Sequence, residues 1–205
     1  MEVDAPFVRA RTTDVTLRDG GVVRIRPIVP ADKGRLQDGL AKLSAESRYH
    51  RFLAPLRELS PRDLAYLTEI DYRDHFAAGA LALDEPGEPG IGVARYVRLA
   101  DGDVAEAAVA VTDEHQRRGL GRLLLEAMCA VALENGIRSF RAYALAENRS
   151  ALRLLDRMGW RRELDSPGVV RVDLDLPSHA ATVEDSPLYE MLRAVARGEA
   201  PPPAA

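Results

Sequence analysis

The stretch "VTDEHQRRGLGRLLLEAM", residues 111–128, leaves a run of alternating small and apolar residues, sets two glycines among arginines, and passes into a leucine-rich segment. That order calls for a strand, a bend of bare backbone, and a helix beginning on glycine. The first N–H groups of a helix lack intrahelical acceptors and carry partial positive charge. Glycine lets an anion reach them without meeting a Cβ, so the turn is a candidate phosphate cradle. Its members are Arg117, Arg118, Gly119, Leu120, Gly121 and Arg122. A glycine-rich turn with solvated arginines is the plainer reading of the same residues. Two nucleotide motifs are excluded: no Lys-Ser/Thr pair follows the glycines, and Leu124 stands where a dinucleotide fingerprint needs its third glycine.

Outward from this stretch, the pattern is mixed. Upstream, "HFAAGALALD" (75–84), "GIGVARYVRL" (90–99) and "DVAEAAVAVT" (103–112) are strand-like runs joined by short turn-rich links, which predicts an antiparallel meander. Downstream come a helix with Leu120, Leu123, Leu124, Ala127, Met128 and Val131 on one face, a strand at 137–146, a helix at 148–159 and a final strand at 168–176. The N-terminal half predicts a hairpin around Asp19-Gly20-Gly21, a helix after Pro30 capped by Asp32, a short helix over 44–54, and a helix with Ser60 as cap and Pro61 in its first turn. Residues 186–198 predict a capped amphipathic helix that docks on its own domain or a sister chain, in one variant covering the acceptor cleft. "EAPPPAA" at the end reads as disordered.

Composition narrows the class. A chain of 205 residues, 46% of them hydrophobic, supplies the core of one large domain. Lys33 and Lys42 are its only lysines, its arginines are scattered, and its net charge is -4, which argues against a nucleic-acid surface. No uncharged run approaches the ~20 residues of a membrane span, and the N-terminus has no signal-peptide core. The single Cys129 excludes an internal disulfide or a cysteine-rich zinc site, and the four histidines lack metal-ligand spacing. These features predict a cytoplasmic protein without a metal.

The motifs go further. "QRRGLG" resembles the Gln/Arg-x-x-Gly-x-Gly/Ala signature of the GNAT superfamily of acetyl-CoA-dependent N-acetyltransferases. "AENRSALRLLDRMGW" is similar to that family's second motif, with Asn148, Ala151, Leu154, Gly159 and Trp160 in register. The resemblance implies an α/β (α+β) fold with a central, mostly antiparallel mixed sheet flanked by helices and splayed to admit acetyl-CoA. It places the pyrophosphate on residues 117–122 and the pantetheine arm against Asn148, a residue that equally well caps a helix. "SAESRYHRF" and "EIDYRDHFA" carry a closer resemblance, to the catalytic domain of Pat-type bacterial protein lysine acetyltransferases, over residues 14 to 177. The expected domain is therefore 1–178, with a tail over 179–205. Such domains are often fused to a nucleotide-binding or acyl-CoA-synthetase-like domain, for which this sequence has no room.

A lysine amine is mostly protonated at neutral pH and must lose a proton before attacking a thioester. Glu106 is the lone ionisable side chain of "VAEAAVAV", and burial in that apolar run would raise its pKa toward the working range. Alternation sets it on one face with Ala108 and Ala110. An edge glutamate in water or paired with arginine is the plainer reading; the resemblance to Pat-type enzymes implies the general base. It also implies an oxyanion donor among the backbone N–H groups of Val109, Ala110 and Val111. At Leu155 the sequence departs from the family, many members of which carry a tyrosine as general acid. His115 reads as a solvated turn residue, His75 as structural. The implied partners are acetyl-CoA and a protein with an exposed lysine, such as an AMP-forming acyl-CoA synthetase, with the enzyme a monomer or homodimer. Small-amine acetylation and a non-catalytic acyl-CoA-binding module are the alternatives.

Overall fold

A computed structural model describes residues 5–100 and 102–176; the expected tail helix and disordered end lie outside them. The elements run α1 (Ala5–Ala10), β1 (Thr13–Thr16), β2 (Val22–Pro27), α2 (Lys33–Ala41), α3 (Ala45–Phe52), α4 (Pro61–Thr68), β3 (His75–Ala82), β4 (Gly90–Arg98), β5 (Val104–Val111), α5 (Leu120–Glu134), β6 (Ser139–Leu145), α6 (Arg149–Arg157), β7 (Arg161–Ser166) and β8 (Val169–Asp175). They build one eight-stranded sheet in the order β1-β2-β3-β4-β5-β6-β8-β7. The β5–β6 pair is parallel and the other pairs are antiparallel.

Small side chains let helices approach both faces of the central strands. One face carries Ala78, Ala80, Ala94, Ala105 and Ala107, all buried, and α5 packs across β3, β4 and β5 there. An aromatic row runs through this core, with ring centroids 5.8 Å apart for Phe76–Tyr96, 5.9 Å for Tyr96–Phe140 and 6.3 Å for Phe140–Trp160. Aromatic packing at such spacing adds to the large apolar area the rings bury. On the opposite face α2 lies over β4, and α3 over β5 and β6.

The β5–β6 ladder decides where a ligand can enter. Pairing runs through Val104–Ser139, Ala105–Phe140 and Glu106–Arg141, and stops. From residue 107 onward β5 keeps its partner β4, while β6 turns to β8. The two central strands therefore part, leaving a wedge of main chain in the middle of the sheet.

Several local expectations change. Asp32 does not cap α2. It is buried in the preceding 3₁₀ turn, where it accepts from Arg26 Nη1 at 2.7 Å, Arg26 Nη2 at 2.6 Å and the Val29 amide at 2.9 Å. Ser44 and Ser60 do cap α3 and α4, accepting from the amides of Ser47 and Asp63. Two elements were not anticipated. The six-residue α1 anchors fully buried Phe7, and β7 has every side chain exposed.

Candidate active site

The loop after β5 is tied down before it reaches the glycines. Asp113 accepts from the Ser44 amide at 2.9 Å. Its carboxyl sits below the usual range: burial raises it, but hydrogen bonds from Ser47 and Ser44 outweigh that. Gln116 Nε2 donates to the Val111 carbonyl at 3.2 Å and to Asp113 Oδ1 at 3.1 Å. The loop is thus stitched both to β5 and to the start of α3.

His115 is not the solvated turn residue the sequence suggested. It is buried, with Nδ1 at 2.9 Å from Thr112 Oγ1 and Nε2 at 2.6 Å from Glu85 Oε1. Glu85 belongs to the β3–β4 turn, so this contact ties the loop after β5 to that turn.

Arg117 and Gly119 adopt positive φ, 64° and 88°, and the chain then enters α5 at Leu120. Gly119 has no cost in that region, whereas an L side chain would be strained. At Gly121 an added Cβ would stand 3.1 Å from Leu154 Cδ2 of α6. The missing side chain lets α6 close against the start of α5. The first N–H groups of this 15-residue helix have no intrahelical acceptors, and glycine at 119 and 121 keeps side chains away from two of the positions beside them. This arrangement fits a diphosphate-bearing ligand: the groups it offers are amides, not carboxylates.

Two of the three arginines of the loop, Arg118 and Arg122, are engaged elsewhere. Arg118 reaches the β1–β2 turn, where its Nε lies 2.5 Å from Asp19 Oδ2. Arg122 Nε bonds Glu126 Oε1 at 2.6 Å, one helical turn on. Arg118 therefore stands in the loop through its main chain, with its guanidinium held away by Asp19. Asn148 caps α6, its Oδ1 accepting from the Ala151 amide at 3.1 Å.

Glu106 lies at the vertex of the wedge. The expectation that it is buried fails: it is exposed, while flanking Ala105 and Ala107 are buried on the α5 side. Loss of β6 as a neighbour just beyond this rung leaves the position open. Ala108 and Ala110 follow at alternate positions, and Ala110 lines a cavity of about 90 Å³ between α2, α3, α4 and the sheet. Val109 and Val111 instead pack toward the main core. Leu155 is 6% exposed and belongs to that core as well.

Two basic residues on the cavity wall, Arg51 within "SAESRYHRF" and Arg95 within β4, were not singled out from the sequence. Arg51 of α3 stands over the Phe52 ring, 4.9 Å from its centroid. Burial pulls its pKa down, and the charge of Glu106 opposes that shift. Arg95 of β4 is buried, donating from Nη2 to the Leu67 carbonyl at 3.0 Å and from Nη1 to His75 Nε2 at 2.6 Å. Burial, reinforced by the nearby charge of Arg51, pulls Arg95 down to about 9. His75 is pushed down to about 4, first by burial and then by Arg95, against a weaker pull from Asp71. Its Nε2 is accordingly free to accept. His75 thus packs against Arg95 on the cavity wall as a neutral imidazole.

The wedge between the parallel strands, the glycine-started helix and the loop bound to β5 together form one open cleft in the sheet. Residues 44–160 match the Acetyltransferase (GNAT) family. The chain belongs to that family. Its fold is the GNAT fold, an open mixed sheet flanked by helices, and the donor used across the family is acetyl-CoA. Acetyltransferase Pat of Mycolicibacterium smegmatis is 34% identical over 190 residues, covering 89% of this chain and 54% of that protein. The chain thus spans about half the length of that relative. Acetyltransferase PA5475 of Pseudomonas aeruginosa is 32% identical over 150 residues, 73% of this chain and 81% of its own. The crystal structure of the GNAT domain of S. lividans PAT superposes with a TM-score of 0.76 at 37% identity, covering 85% of this chain and 100% of that one. Among the described residues no helix is long and apolar enough to cross a membrane.

Proposed function

We propose that this GNAT domain transfers acetyl from acetyl-CoA directly to the side-chain amine of a lysine on another protein. The observation that carries this reading is the position of Glu106, at the vertex of the wedge and open to a ligand from the face that α3 covers. Main-chain groups of residues 117–122 hold the pyrophosphate, and Asn148 lies beside the pantetheine arm. Glu106 accepts a proton from the acceptor ammonium, directly or through a water. The neutral amine then forms an N–C bond to the acyl carbon, giving a tetrahedral intermediate whose nitrogen gives up its second proton to solvent as the C–S bond breaks. A backbone N–H among Val109, Ala110 and Val111 stabilises the oxyanion, and the thiolate leaves to take a proton from solvent.

The charge of the cavity favours a protein acceptor over a cationic small amine. Arg26, Arg35, Arg51 and Arg95 line it, against the single carboxylate of Asp32. A pocket for polyamines or aminoglycosides would carry the opposite sign. The resemblance to Pat-type protein lysine acetyltransferases read in the sequence is the reason to try AMP-forming acyl-CoA synthetases first as substrates. The test is incubation of the purified chain with acetyl-CoA and such a synthetase, followed by mass mapping of its lysines. One dominant acetyl-lysine supports the reading. Acetyl-CoA binding without transfer to any amine supports a binding module instead.

A further inference from the structure

The wall of the cavity holds more positive charge than its protein partners neutralise. Asp32 is saturated by Arg26, which grips it with two hydrogen bonds. Arg35 reaches Asp32 only at 3.6 Å and is 38% exposed to water. Arg51 and Arg95 are the remaining pair, and neither forms an ion pair with a carboxylate among the described residues. The partners of Arg95 are a carbonyl and a neutral imidazole, which satisfy its N–H groups without cancelling its charge. Glu106 is the acid whose field reaches Arg51.

Charges withdrawn from water are ordinarily paired, because desolvation costs each of them several kcal/mol. Here buried Arg95 and half-buried Arg51 share one cavity that is also lined by Leu36, Leu40 and Val93. One cation can be set against Glu106, and the other is left over. When Glu106 takes a proton during turnover, the surplus grows by one charge. Among the described residues no further acid balances the cavity, which leaves a place for an anion that a substrate carries. Guanidinium groups are well suited to receive a carboxylate through paired N–H donors. The cavity reaches Ala110, on the arm of β5 where the acyl group is read to lie, so the missing anion stands beside the reacting atoms.

We propose that Arg51 and Arg95 form a carboxylate-binding subsite in the acceptor side of the cleft, filled by a carboxylate that a substrate brings with it. The carboxylate belongs to the far end of a dicarboxylic acyl group or to an acidic residue next to the acceptor lysine. The proposal rests on the assignment of the wedge as the acyl-CoA cleft.

Calorimetric titration of the full chain tests it. The probes are acetyl-CoA against succinyl-CoA, and, with CoA bound, two lysine peptides differing only in Asp or Ala beside the lysine. Arg51→Gln and Arg95→Gln are titrated in parallel, with thermal unfolding to establish that each folds and Arg95→Lys in place of the latter if it does not. One carboxylate-bearing probe should bind more tightly than its plain counterpart, and the ratio should fall about tenfold in the arginine variants. A donor ratio that responds assigns the carboxylate to the acyl chain; a peptide ratio that responds assigns it to the acceptor. Ratios that no substitution changes overturn the subsite, and so does an equal loss for every probe, the mark of a structural role. Failure of acetyl-CoA itself to bind would be a failure of the underlying cleft assignment instead.

Discussion

Glu106 of β5 stands opposite Arg141 of β6 in the last rung at which these two parallel strands pair. Beyond it each strand keeps only its outer neighbour, so a base candidate and a ligand wedge are products of one event in the sheet. The Arg141 side chain is drawn toward Asp173, 3.3 Å from its Nε, instead of closing over Glu106. The carboxylate is left open to an incoming amine.

Main chain, not guanidinium, should dominate phosphate binding at the loop. Gly119 sits at φ 88°, where an added Cβ costs on the order of 1–2 kcal/mol. Gly119→Ala should lower stability by about that amount and weaken acetyl-CoA binding. Arg118→Ala should leave the affinity nearly unchanged, because Asp19 already holds that side chain. Calorimetry on both variants checks the contrast.

The pair His75–Arg95 makes stability fall in acid. The folded pKa of His75, about 4, lies below its unfolded value of about 6.5. Between those two pH values the unfolded chain binds the extra proton, so stability drops as pH falls from 6.5 toward 4. Allowing for water at a half-buried site, the contribution is ~1–2 kcal/mol. Urea unfolding of the wild type and His75→Gln across this range should show a shallower acid slope in the variant.

Restoring a tyrosine at 155 should not restore an acid. Leu155 is packed in the core at 6% exposure, so Leu155→Tyr must force a larger ring and a hydroxyl into filled space. A loss of about 1–3 kcal/mol is expected, with no gain in turnover. A faster enzyme of unchanged Tm would contradict this.

What the sequence revealed followed from local patterns. Strand-like runs joined by turn-rich links over residues 75–111 were enough for the meander, and Ser60-Pro61 for the start of α4. The glycines of "QRRGLG" predicted the helix start because backbone geometry demands them there. By contrast, β7 offers no alternation to detect, since all of its side chains are exposed. Asp32 has the identity of a cap but is claimed by Arg26 across the turn. Glu106 was expected to be buried because its neighbours are small and apolar. Strand pattern alone does not reveal that the adjacent strand departs at that rung. Arg51 lies within "SAESRYHRF" and Arg95 within a strand-like run, but they meet only through the packing of α3 on the sheet, which neither stretch reveals.

The measurement that bears most directly on the site is CoA release by Glu106→Gln beside the wild type, with acetyl-CoA affinity measured on both. A general base contributes roughly 10²–10⁴-fold, so turnover should fall by at least about 100-fold while acetyl-CoA still binds. Unchanged turnover in a folded Glu106→Gln protein would contradict the assignment of Glu106 as base.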